Sequence, residues 1–157
     1  MDTAVRFYEK FIALAPDHIT LQPYAKEVLG ELREQGMKIG IATGRMSDGS
    51  SKWRELKNLH IDTLIDAVVT AGETRPKPDP ASLIKCVLDL SLTPEACVFV
   101  GDSRADIIAA RSAGVISIAI PTGVASRQDL AEEQPRMPAE ELCVGEFLQA
   151  GIGFDGG

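Results

Sequence analysis

The sequence is short of the features that mark several protein classes. It carries three cysteines, Cys86, Cys97 and Cys143, scattered and odd in number, with no CxxC pair and no histidine at metal-ligand spacing. Neither a disulfide framework nor a zinc site is expected from such a set, and reduced thiols point to a cytoplasmic protein. Apolar runs such as residues 115–121 fall far below the ~20 residues that span a bilayer. The first residues, Met-Asp-Thr, lack the basic start and apolar stretch of a secretory signal. Basic side chains are in deficit, 16 against 23 acidic ones, for a net charge of −7. Nucleic acid and anionic membranes call for a basic face, so neither is an expected partner. Internal repeats and low-complexity tracts are also lacking.

What remains is an ordinary globular composition, 45% hydrophobic and 25% charged over 157 residues, enough for one domain with a real core. Its pattern is alternation. Residues 23–35 read as a helix, with Pro23 in the first turn, Val28, Leu29 and Leu32 on one face, and Gly36 as the stop. The apolar run 37–42 reads as a buried strand leading into Thr43-Gly44-Arg45. A helix over 50–59, a strand over 67–70, a helix from Asp79-Pro80 to about Leu90, a strand over 97–100, a helix over 104–113 closed by Gly114, and a strand over 115–120 follow. Such alternation predicts an α/β fold, a Rossmann-like parallel sheet with helices on both faces. Right-handed crossovers bring the strand-to-helix loops to one edge, where ligands bind. A closing helix over 140–149 and a frayed tail over 151–157 complete the reading.

Three of those loops carry residues suited to chemistry. Asp102 ends an apolar strand and Asp106 follows four residues later. Two converging carboxylates repel unless a cation separates them, and Mg²⁺ is the natural occupant. Ser103-x-x-Asp106 is equally a helix capping box, so capping and metal work are both open for Asp106. Lys77 sits among prolines in Arg75-Pro76-Lys77-Pro78-Asp79-Pro80, a stiff loop that could hold an ammonium against a phosphate oxygen or a carboxylate; a plain surface turn is the alternative. Thr43 and Gly44 offer a hydroxyl and backbone N–H groups to an anion.

In their order along the chain, IATGR (41–45), KPDP (77–80) and GDSRAD (101–106) resemble the haloacid dehalogenase-like phosphohydrolases, in particular the phosphoglycolate-phosphatase-like branch. The resemblance runs from about Leu21 to Val124. It implies hydrolysis of a small phosphorylated metabolite with Mg²⁺ as cofactor. Thr43 and Gly44 would bind the phosphoryl group, Lys77 would steady it and the attacking carboxylate, and Asp102 and Asp106 would serve the metal. Gly44 stands where many relatives carry Asn.

One element of that family is missing. Its first strand ends in Asp-x-Asp, which supplies nucleophile and acid–base, and no Asp-x-Asp occurs anywhere in this chain. Residues 1–20 read instead as an amphipathic helix, the remnant of a helical cap, ahead of a core over 21–150. In the family the absent strand lies between the strand ending at Thr43 and the one ending at Asp102. Its loss would expose two unpaired strand edges. The expectations are therefore a sheet lacking its usual first strand, a truncated and inactive form of the enzyme, and self-association or a partner segment filling the gap. The alternative is a non-catalytic phosphate- and metal-binding remnant that acts by association.

Overall fold

A computed structural model describes residues 5–8, 12–15, 18–44, 49–120, 125–133 and 137–138. Among them are strands β1 (Val5–Tyr8), β2 (Ile12–Ala15), β3 (His18–Leu21), β4 (Lys38–Thr43), β5 (Ala67–Thr70), β6 (Cys97–Gly101), β7 (Ile116–Ala119) and β8 (Met137–Pro138). The helices are α1 (Ala25–Glu34), α2 (Gly49–Asn58), α3 (Ala81–Asp89), α4 (Arg104–Ala113) and α5 (Arg127–Glu132). From β4 to β7 every element falls within one residue or so of its predicted position. Short 3₁₀ turns at Asp62–Leu64 and Pro94–Ala96 lead into β5 and β6.

One parallel sheet organises the chain, in the order β5-β4-β1-β6-β7-β8. Both faces are covered. On β6, Val98 and Val100 join Leu29 and Leu32 of α1 and Leu56 of α2, while Cys97 and Phe99 point the other way to Leu83, Cys86 and Val87 of α3 and Ala109 and Ala110 of α4. The period of two in a strand splits one apolar run between two cores. Helix ends follow local chemistry. Gly36 and Gly114 take φ of 78° and 74° just past α1 and α4, a backbone region that glycine enters without a Cβ penalty.

Residues 5–21 correct the sequence reading. The expected amphipathic helix is not what forms: residues 5–8, 12–15 and 18–21 are strands, β2 pairing with β3 in an antiparallel hairpin. The slot between β4 and β6, expected to lack a strand, holds β1. Val5 pairs with Lys38 on one side and Cys97 on the other, and Phe7 with Gly40 and Phe99. The physical reason is the cost anticipated for an open slot. Two rows of unpaired backbone groups template a strand, and Val5, Phe7 and Tyr8 are residue types that favour one. A helical period over a short segment is a weak preference beside that. The strand in the slot carries no aspartate, for the sequence from Val5 runs VRFYEK. The expected helix over 140–149 and tail over 151–157 lie outside the described residues.

Candidate active site

The carboxyl ends of β4, β5 and β6 and the helices that follow build the site. β1 is where strand order turns: β4 and β5 lie on one side of it, β6 and β7 on the other. The crevice beside such a strand is where open α/β sheets take their ligands.

Asp102 and Asp106 come from the turn between β6 and α4. Ser103 adopts extended backbone as the N-cap of α4, and its Oγ accepts the Asp106 N–H at 3.3 Å. Asp106 Oδ2 in return accepts from Ser103 N at 3.0 Å, Ser103 Oγ at 2.6 Å and Asp102 N at 3.2 Å. The capping box is complete. Asp106 Oδ1 meets the Lys77 ammonium at 2.8 Å. Both oxygens of Asp106 are thus committed to the turn and to Lys77. The close fold-back explains Gly101, because a Cβ there would stand 2.9 Å from Asp106 Cγ and 3.0 Å from Oδ2. Glycine inside a strand signals such an approach.

Lys77 arrives on the stiff loop between β5 and α3, and its side chain is 5% exposed. Besides Asp106, its ammonium donates to the Ala42 carbonyl at 3.2 Å and lies 5.2 Å from the centre of the Phe99 ring. Burial pushes the Lys77 pKa below the ordinary lysine value, opposed by the charges of Asp106 and Asp102 and the hydrogen bond to Asp106. The alternative of a plain surface turn is set aside. The lysine reaches inward and ties the end of β4 to the start of α4.

Thr43 is the last residue of β4, 7% exposed, next to the carbonyl that Lys77 holds; Gly44 follows, exposed. The structure therefore brings Lys77 and Asp106 into direct contact and sets Thr43 and Asp102 beside them. Pro80 is the N-cap of α3, and Asp79 just before it accepts the Ala81 N–H at 2.9 Å.

The donor set can be tested against a cation by charge. Asp102 is 1% exposed, and both its carboxylate oxygens are shut off from solvent. With the buried Asp106 and the buried side chain of Lys77, it forms a group of two carboxylates and one ammonium. Buried carboxylate oxygens at the ligand edge are the donor type that a small hard cation takes. Asp102 fits Mg²⁺. Asp106, with both oxygens engaged, fits a positioning role better than direct ligation. Among the described residues no group of three or more His, Cys, Asp or Glu side chains is placed to hold a metal ion; Mg²⁺ commonly takes one or two carboxylates and keeps several waters.

Reading the sequence alone did not single out Gly101, Phe99 or Glu73. Gly101 carried a signal in its place within an apolar strand. Glu73 also carried one, since Thr70-x-x-Glu73 has capping-box spacing, although it opens a loop rather than a helix. Nothing in the sequence marked Phe99 from other apolar strand residues.

The sequence model of the haloacid dehalogenase-like hydrolases matches residues 1–120. The chain belongs to that family. Among curated relatives, a provisionally assigned pyrophosphatase, PpaX, of Caldanaerobacter subterraneus subsp. tengcongensis is 35% identical over 74% of this chain and 53% of its own length. The phosphoglycolate phosphatase of Pseudomonas fluorescens is 32% identical over 76% of this chain and 44% of its own length. The chain spans about half the length of the curated relatives it matches. Among solved structures, a haloacid dehalogenase-like family hydrolase of Streptococcus pneumoniae superposes with a TM-score of 0.69 at 26% identity, over 84% of this chain and 60% of that one. A hydrolase of Pseudomonas syringae reaches 0.73 at 23% identity, over 86% and 62%, a likeness of fold. No helix among the described residues is long and apolar enough to cross a membrane.

Proposed function

We propose that this member of the phosphatase family binds the phosphoryl group of a small phosphorylated metabolite together with Mg²⁺, and does not hydrolyse the ester by itself. The observation that carries the reading is the buried Lys77 ammonium, held 2.8 Å from Asp106 and 3.2 Å from the carbonyl next to Thr43. An ammonium fixed at the ligand edge of a parallel sheet, with a hydroxyl on one side and the buried Asp102 carboxylate on the other, suits a phosphoryl oxygen and a divalent ion.

The residues divide the work. Thr43 and the Gly44 backbone receive the phosphoryl oxygens, Lys77 neutralises them, and Asp102 holds the ion. Asp106 keeps Lys77 and the α4 turn in place. When bound, Mg²⁺ supplies charge neutralisation and polarises a phosphoryl oxygen. Covalent transfer in this family needs an attacking carboxylate, and the chain contains no Asp-x-Asp. The names of the relatives direct the choice of substrate to small anions such as phosphoglycolate or pyrophosphate. The buried thiols Cys86 and Cys97 support a reducing, cytoplasmic setting.

Thermal unfolding with Mg²⁺ and inorganic phosphate, singly and together, tests the reading. A ligand at a hundred times its Kd adds about 2.7 kcal/mol to stability, a readily measured rise in Tm. Asp102→Asn should abolish the rise with Mg²⁺, and Lys77→Met the rise with phosphate. Absence of both rises in the unaltered chain would overturn the proposal. Hydrolysis of p-nitrophenyl phosphate that EDTA abolishes would overturn the inactive part of it alone.

A further inference from the structure

We propose that Glu73 is a positioning residue that fixes two walls of the site at once. The phosphate arm of its test rests on the reading above. Glu73 lies in the turn after β5. Its backbone N–H donates to the Thr70 carbonyl at 3.0 Å, and its Oε1 accepts from Thr70 N at 3.2 Å and from Thr70 Oγ1 at 3.1 Å. Thr70 is fully buried and is the register partner of Thr43. The same Oε1 lies against the first residue of α2, where a Cβ built on Gly49 would stand 3.3 Å from it. Oε2 is 3.9 Å from Lys85 of α3.

One carboxylate therefore hydrogen-bonds the end of β5, lies close to the start of α2 and pairs with a lysine on α3. The first of these launches the loop that delivers Lys77. The second ends the connection that begins at Thr43 and Gly44. A negative group at a helix start is favoured by the exposed N–H groups and the helix dipole. Removing Glu73 would leave the buried Thr70 N–H and hydroxyl without their acceptor, a cost that the chain relieves by moving the turn. Motion there passes to both walls together, because the anchor is shared.

The role requires an acceptor more than a charge, which sets the variants. Glu73→Ala should weaken binding of inorganic phosphate about tenfold by titration calorimetry, while Glu73→Gln stays within about threefold. Gly49→Ala, which presses a methyl on Oε1, should fall between them. Amide hydrogen exchange gives a second readout that needs no ligand. In Glu73→Ala, the Thr70 amide and the Trp53 amide on α2 should both exchange faster, and to a similar degree. Faster exchange at Thr70 alone would overturn the shared anchor. Unchanged phosphate affinity in Glu73→Ala with a lowered Tm would make the residue merely structural, and equal losses in Ala and Gln variants would overturn the acceptor role. Failure of the unaltered chain to bind phosphate would count against the function above, leaving exchange to decide on Glu73.

Discussion

Two helices of this protein begin with the same four-residue device and use it differently. Ser103-Arg104-Ala105-Asp106 opens α4, and Ser126-Arg127-Gln128-Asp129 opens α5. In both, the serine hydroxyl accepts the aspartate N–H, and the aspartate carboxylate answers the serine N–H and hydroxyl. At α5 the box is exposed, and beyond it the Asp129 carboxylate feels the charge of Arg104. At α4 it is buried, and the carboxylate continues to Asp102 N and to the Lys77 ammonium. Identical local chemistry becomes part of a site only where burial and a second loop bring a partner to it. Burial also decides the energetics, since an exposed cap contributes its hydrogen bonds and little else.

The largest test of that contrast is Asp106→Ala. It strands a buried ammonium, and breaking a buried pair from one side typically costs about 3–5 kcal/mol. Urea unfolding should show a loss of that order. A loss near that of a surface cap would erase the distinction. The serines come next. Ser126→Ala should cost about 1 kcal/mol, the usual value of a lost N-cap, whereas Ser103→Ala should cost more because Asp106 loses a buried donor as well. Equal midpoints for the two variants would break the comparison from the other side.

Acid sharpens it further. The Ser126 hydrogen bonds hold the Asp129 carboxyl below its usual value. A carboxyl with a depressed folded pKa adds stability that is present above its unfolded pKa and lost as pH falls through the folded one. Amide protection in α5 should therefore fade below about pH 4, followed by hydrogen exchange. The smallest effect concerns the interior behind α3. Burial pushes the Cys97 thiol up to about 12 and raises Cys86 further. In a Cys143→Ser background, neither should react with a disulfide reagent at pH 8 until the chain unfolds. Rapid native labelling would mean that this core opens.

Much of the fold was legible because strands β4 to β7 are short apolar runs with clear stops. Gly36 and Gly114 marked helix ends, and the Asp79-Pro80 pair marked the start of α3. The candidate site was legible as a set of residue types on successive strand ends. What the sequence could not show was how Asp106 divides its oxygens, because Ser103-x-x-Asp106 reads the same whether or not a lysine from a loop some thirty residues earlier reaches it. Residues 5–8 misled for a related reason. Their apolar spacing suits a helix in isolation, yet backbone groups on β4 and β6, far along the chain, offer a better pairing. Long-range partners are invisible to local periodicity.

The short central strand has a mechanical consequence. β4 and β5 form one ribbon, β6 and β7 another, and among the described residues of the sheet it is 5–8 that stitch them, with α3 packed across β4 and α4 as a brace. Thr43 belongs to the first ribbon and Asp102 to the second, so the width of the ligand cradle depends on a seam four residues long and on the Lys77 bridge between Ala42 and Asp106. Anything that loosens that stitching would part the phosphate side from the metal side while leaving each intact.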